Sequence, residues 1–137
     1  MAEYFVEVLD YADTTISFYK VVGYTPSGKS VRLKRCGNKQ ITEAVNNGEC
    51  TWWLEVPGEE WDTEILTRRL HPGITTLRGD TTRPYVKTSD WAKAYLYTEE
   101  ECMKGFRHRL SHAFWETFPK SFLKCAEVPC AGCQDGV

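Results

Sequence analysis

The sequence predicts an α+β domain: a mainly antiparallel sheet, or a partly open small β-barrel, covered by one long C-terminal amphipathic helix. Three observations lead there. Strand-length apolar runs fill the first two thirds of the chain, and turn residues punctuate them about every eight to twelve positions. A helix-start signature then follows at Thr98. Such punctuation suits a meander or small barrel rather than βαβ units. A chain of 137 residues is long enough for one core and too short for two. The expected layout is a single domain over 1–137, with sheet over 3–97, helix over 99–118 and a cysteine-containing tail over 125–137.

Glu3 to Leu9 is a first strand, carrying Tyr4, Phe5, Val6, Val8 and Leu9. Ile16 to Tyr24 is a second, and Thr25-Pro26-Ser27-Gly28 is a turn, because proline presets φ and glycine tolerates positive φ. From Ser30 to Arg35 the alternation is clear: Val31 and Leu33 point one way, Arg32 and Lys34 the other. Gln40 to Val45 fits either a helical turn or a strand. Cys50 to Val56 reads as a strand with one of Trp52 and Trp53 on each face, stopped by Pro57-Gly58. Thr63 to Leu70, which a helix would also fit, Ile74 to Arg78, Tyr85 to Lys87 and Ala92 to Tyr97 complete the strand candidates, with His71-Pro72-Gly73 and Gly79-Asp80 as turns.

Thr98-x-x-Glu101 is a capping box, in which hydroxyl and carboxylate reciprocally satisfy two orphan amides. Met103, Phe106, Leu110, Ala113, Phe114 and Phe118 follow at helical spacing, predicting about five turns ended or kinked by Pro119. The expected core holds Val8, Phe18, Val31, Leu33, one of the two tryptophans, Leu96, Phe106, Leu110 and Phe114.

Net charge is −2, which argues against wholesale electrostatic binding to nucleic acid while leaving room for a local basic patch. The start, Met1-Ala2-Glu3-Tyr4-Phe5, reads as neither signal peptide nor membrane span. An intracellular, reducing setting with no membrane contact is therefore expected, with Cys36, Cys50 and Cys102 as small buried hydrophobes.

Two site classes emerge. His108 and His112 are four apart, so a helix would show both on one face, and Cys130-x2-Cys133 is a metal-ligand spacing. Zinc is the cofactor these four would hold. The second class is basic: Lys29, Arg32, Lys34 and Arg35 on the hairpin, which Arg68, Arg69, Arg78 and Arg83 on later strands would extend into one cationic sheet face, with Lys104 and Arg109 on the predicted helix. Interleaved Tyr19, Tyr24 and Tyr85 would let such a surface stack single-stranded nucleic acid. Plain solvated faces would look the same, since exposed strand positions are often Lys and Arg. No Gly-rich phosphate loop, G-x-S-x-G or HExxH occurs, so a non-enzymatic role is expected.

Gly23-Tyr24-Thr25-Pro26-Ser27-Gly28-Lys29-Ser30-Val31-Arg32-Leu33 is similar to the strand-turn-strand of small SH3-like barrels. With Arg69, Gly73, Arg78 and Gly79, the layout resembles short accessory proteins encoded by bacteriophages, over residues 16–97. The resemblance implies a small binder or inhibitor acting by occupying a partner protein's surface, or alternatively a nucleic-acid binder. It carries over no functional residue.

Overall fold

The computed structural model describes residues 2–10, 13–48 and 50–111. Over these the protein is mainly β: nine strands in one open antiparallel sheet, with a single five-residue helix. The strands are β1 (Glu3–Asp10), β2 (Thr14–Tyr24), β3 (Ser30–Gln40), β4 (Val45–Asn46), β5 (Cys50–Glu60), β6 (Leu66–Arg69), β7 (Tyr85–Lys87), β8 (Lys93–Thr98) and β9 (Phe106–Ser111), and α1 is Glu99–Met103. Their order is β4-β5-β3-β2-β1-β8-β7, with β6 on β3 and β9 on β5. β3 is the spine. Its first half pairs with β6 from Ser30↔Arg69 to Leu33↔Leu66, and its second half pairs with β5.

Both faces of the central strands are covered, which explains the unbroken apolar run Tyr4-Phe5-Val6. One cluster holds Tyr4, Val6, Ile16, Phe18, Cys36 and Cys102; the opposite one holds Phe5, Tyr19, Val31, Leu33, Val86 and Ala94. Phe106 of β9 closes over the first, edge-on to Phe18 at 5.6 Å and to Tyr97 at 5.0 Å. Val8, expected in the core, is 44% exposed because it lies beyond the covered part of β1. Trp53 is the buried tryptophan of its pair, at 7% exposure.

The long helix over 99–118 is overturned, and with it the α+β class. The capping box forms as read, with the Thr98 hydroxyl accepting from the Glu101 amide and the Glu101 carboxylate accepting from the Thr98 amide. The helix then ends after Met103, and Gly105 adopts φ +90, a left-handed conformation that closes helices. From Phe106 the chain is a strand pairing β5 from Glu55↔Phe106 to Cys50↔Ser111. The stripe Phe106-Leu110 also satisfies period two, with Phe106, His108 and Leu110 on one side and Arg107 and Arg109 on the other. Phe114, Phe118 and the 125–137 tail lie outside the described residues.

Pro57-Gly58 does not stop β5. Cys36↔Glu60 and Asn38↔Pro57 enclose a register shift, a bulge where a residue without an N–H is tolerated. Gly58 lies against Gly37 so closely that a Cβ there would sit 3.2 Å from the Gly37 carbonyl oxygen.

Candidate functional site

After β6 the chain leaves the sheet as an arm and returns at β7. At its base His71 and Tyr85 exchange both backbone hydrogen bonds at 2.9 Å, and their rings stack at 4.7 Å. Along the legs the Thr82 amide donates to the Ile74 carbonyl, and the Ile74 amide donates to Thr82 Oγ1, each at 2.8 Å. At the tip the Thr76 amide donates to the Asp80 carbonyl at 2.7 Å, and Gly79 turns the chain at φ +89. Arg83 ties the returning leg to the body, donating through Nη1 to Glu101 Oε1 at 2.9 Å and to the Leu96 carbonyl at 3.0 Å. Hydrogen bonds from Arg83 and from the Thr98 backbone hold the Glu101 carboxyl down to about 2. The arm carries apolar side chains into solvent: Leu77 at the tip is fully exposed, and Ile74 on the outgoing leg is 63% exposed.

The predicted basic residues do not share one surface. The register Arg32↔Thr67 and Ser30↔Arg69 places Arg32, Lys34 and Arg69 on one outward face, with Lys29 in the turn that enters β3. Lys34 stands directly opposite Lys20, which is paired with Glu60 at 3.3 Å. Arg35 alternates to the other face. It donates to Tyr19 Oη at 3.3 Å and Ser17 Oγ at 3.1 Å, with its guanidinium between the Tyr19 and Trp61 rings. Lys104 caps α1, and Arg109 on β9 donates to Asp10 Oδ1 at 2.7 Å. The expected helical basic face is therefore replaced by alternating strand positions. The tyrosines do not form one platform: Tyr19 is buried, Tyr24 donates to Glu3, and Tyr85 is covered by His71 and Lys93.

His108 sits on strand β9 rather than on a helix. Its Nδ1 lies 3.0 Å from Glu55 Oε2, and its ring stacks on Trp53 at 4.5 Å. Asn38 Nδ2 donates to the same carboxylate at 3.3 Å and to the Ile16 carbonyl at 2.9 Å. Burial pushes the Glu55 carboxyl up, but the hydrogen bond and charge of His108, with Asn38, outweigh it and hold it below the usual range. This cluster joins β2, β3, β5 and β9 through side-chain hydrogen bonds. Of the predicted zinc set only His108 is described; His112, Cys130 and Cys133 lie outside. Among the described residues, no group of three or more His, Cys, Asp or Glu is placed to hold a metal ion.

An open groove of about 710 Å³ runs along the β3–β5 bulge, with Gly37, Asn38, Pro57, Gly58, Glu59 and Trp61 in its lining.

Sequence reasoning marked Arg32 and Lys34 through alternation and added Arg68, Arg69, Arg78 and Arg83 from later strands; the β3–β6 register brings Arg69 to the Arg32 side and puts Arg68 on the other. Glu55 with His108 escaped notice because 53 residues separate them. Comparison with protein-family models, with curated proteins and with solved structures finds no match to this chain.

Proposed function

We propose that this chain is a small non-enzymatic binding module that acts by occupying the surface of a partner protein, with the arm from His71 to Tyr85 as its docking element. The observation that carries this is Leu77, fully exposed at the end of a hydrogen-bonded arm. Burying such a side chain in a socket contributes about 1.5–3 kcal/mol, the size of one interface anchor. The arm is already ordered by its own backbone bonds, so docking it costs less conformational entropy than ordering a free loop. Ile74, on the outgoing leg, enlarges the apolar contact.

The free thiols Cys36, Cys50 and Cys102 support placing this function in a reducing compartment, inside a cell. Among the described residues no helix is long and apolar enough to cross a membrane.

Photocrosslinking tests the docking role. A photoreactive residue replacing Arg78 is expected to give one discrete protein adduct in the source cell. Excess unmodified chain should suppress that adduct, and excess Leu77→Asp chain should not. Equal suppression by both chains, or an adduct no stronger than from a probe at Lys87, would overturn the proposal.

A further inference from the structure

We infer that the outward face of β3 and β6 is a polyanion site that takes the phosphodiester backbone of a nucleic acid through Lys29, Arg32, Lys34 and Arg69. It uses residues separate from the arm, so either proposal can fail without the other. The placement comes from register. Arg32 pairs with Thr67 and Ser30 with Arg69, and side chains alternate along each strand, so Arg32, Lys34 and Arg69 emerge on one side. Alternate residues on a strand are about 6.7 Å apart and neighbouring strands about 4.8 Å, which spreads the cations over a grid rather than a point.

Several cations elsewhere already have partners. Lys20 pairs with Glu60, Arg83 with Glu101 and Arg109 with Asp10, while Arg107 lies over the Trp52 ring at 4.4 Å. Among the described residues, Lys29, Arg32, Lys34 and Arg69 have no ion pair; Lys39, Arg78 and Lys87 have none either, and what distinguishes the four is that they lie together where β3 pairs with β6. Lys34 faces Lys20 directly, and Glu60 already meets the Lys20 charge, which leaves Lys34 as the cation open to a ligand there. Phosphates laid over this face release counterions. Two of the four groups are guanidinium forks, which meet phosphate oxygens two at a time. Among the described residues no tyrosine is positioned for base stacking there, so the contacts proposed are to the backbone and carry no sequence preference. With a net charge of −2 the attraction is local and is expected to appear at low salt.

The test is fluorescence anisotropy of labelled duplex oligonucleotides titrated with the full chain at rising salt. Three or four phosphate contacts give a log–log salt slope of about −3 to −4. Arg32→Gln with Lys34→Gln should weaken binding about tenfold or more and reduce the slope by about 2. Lys39→Gln with Lys87→Gln removes the same charge elsewhere and should leave binding near the unmodified level. On the unmodified protein, oligonucleotide should protect Lys29 and Lys34 from acetylation. Absence of binding at low salt, equal loss in both double variants, or competition by poly-glutamate as strong as by nucleic acid would overturn the inference. Equal competition would identify an acidic protein surface as the ligand instead.

Discussion

Gly73 and Thr82 lie in backbone contact across the arm: a Cβ on Gly73 would sit 2.0 Å from the Thr82 carbonyl oxygen. No side chain fits there without parting the legs, so glycine sets how closely they zip. Gly73→Ala is expected to speed amide exchange at Ile74, Thr76 and Thr82 while leaving β1 and β2 protected. Hydrogen exchange read residue by residue checks this. Unchanged protection at those three amides would show that the legs are not held by that contact.

The partners of Glu55 give its pH dependence a definite expected sign. Its folded carboxyl titrates below the usual range, held there by His108 and Asn38 against the upward push of burial. A depressed folded value means stability that is fully present above the unfolded carboxylate pKa of about 4.3. That stability is lost as pH falls through the lower folded value. Glu55→Gln is expected to destabilise the protein by about 1–3 kcal/mol at neutral pH, the cost of ill-matched buried polar groups. It should also shrink the acid-side fall in stability. Urea unfolding at several pH values measures both effects.

Two thiols are sealed in. Cys36 and Cys102 are buried, and burial pushes the Cys102 thiol up to about 12. The thiolate is the reactive form, so alkylation at these two positions should lag far behind Cys50 until the chain unfolds. Mass-spectrometric mapping of labelled peptides against time reports each site. Labelling of Cys102 as fast as Cys50 in the native protein would contradict the packing of α1.

The boundary between β8 and β9 shows what local sequence conveys and what it does not. Thr98 and Glu101 announce a helix start through bonds made within three residues, and that start is present. The helix length depends instead on Gly105, whose backbone turns left-handed where its missing Cβ leaves room against Leu54. Phe106 and Leu110 fit both a helical stripe and a strand face, and the available edge of β5 decides between them. Gly105→Ala places a Cβ 2.9 Å from Leu54 Cβ on a positive-φ residue. It should cost about 1–2 kcal/mol or more in urea unfolding.

The candidate sites divide in the same way. Arg32 and Lys34 are legible from alternation within β3, whereas Arg69 joins them only through the β3–β6 register. The turn at Gly79-Asp80 is legible, but the exposure of Leu77 is not, since nothing in an apolar residue's neighbours tells that its leg has left the sheet.

Leu77 bears the central claim. Once photocrosslinking has identified the partner, the direct measurement is its binding isotherm with unmodified chain and with Leu77→Asp, alongside thermal unfolding of both. Loss of an apolar anchor predicts at least about tenfold weaker binding, as expected of a residue worth more than about 1.4 kcal/mol. The unfolding midpoint should not move, because the side chain is fully exposed in the free protein. Equal affinity of the two chains, or weaker binding accompanied by a matching loss of folding stability, would contradict the docking role of the arm.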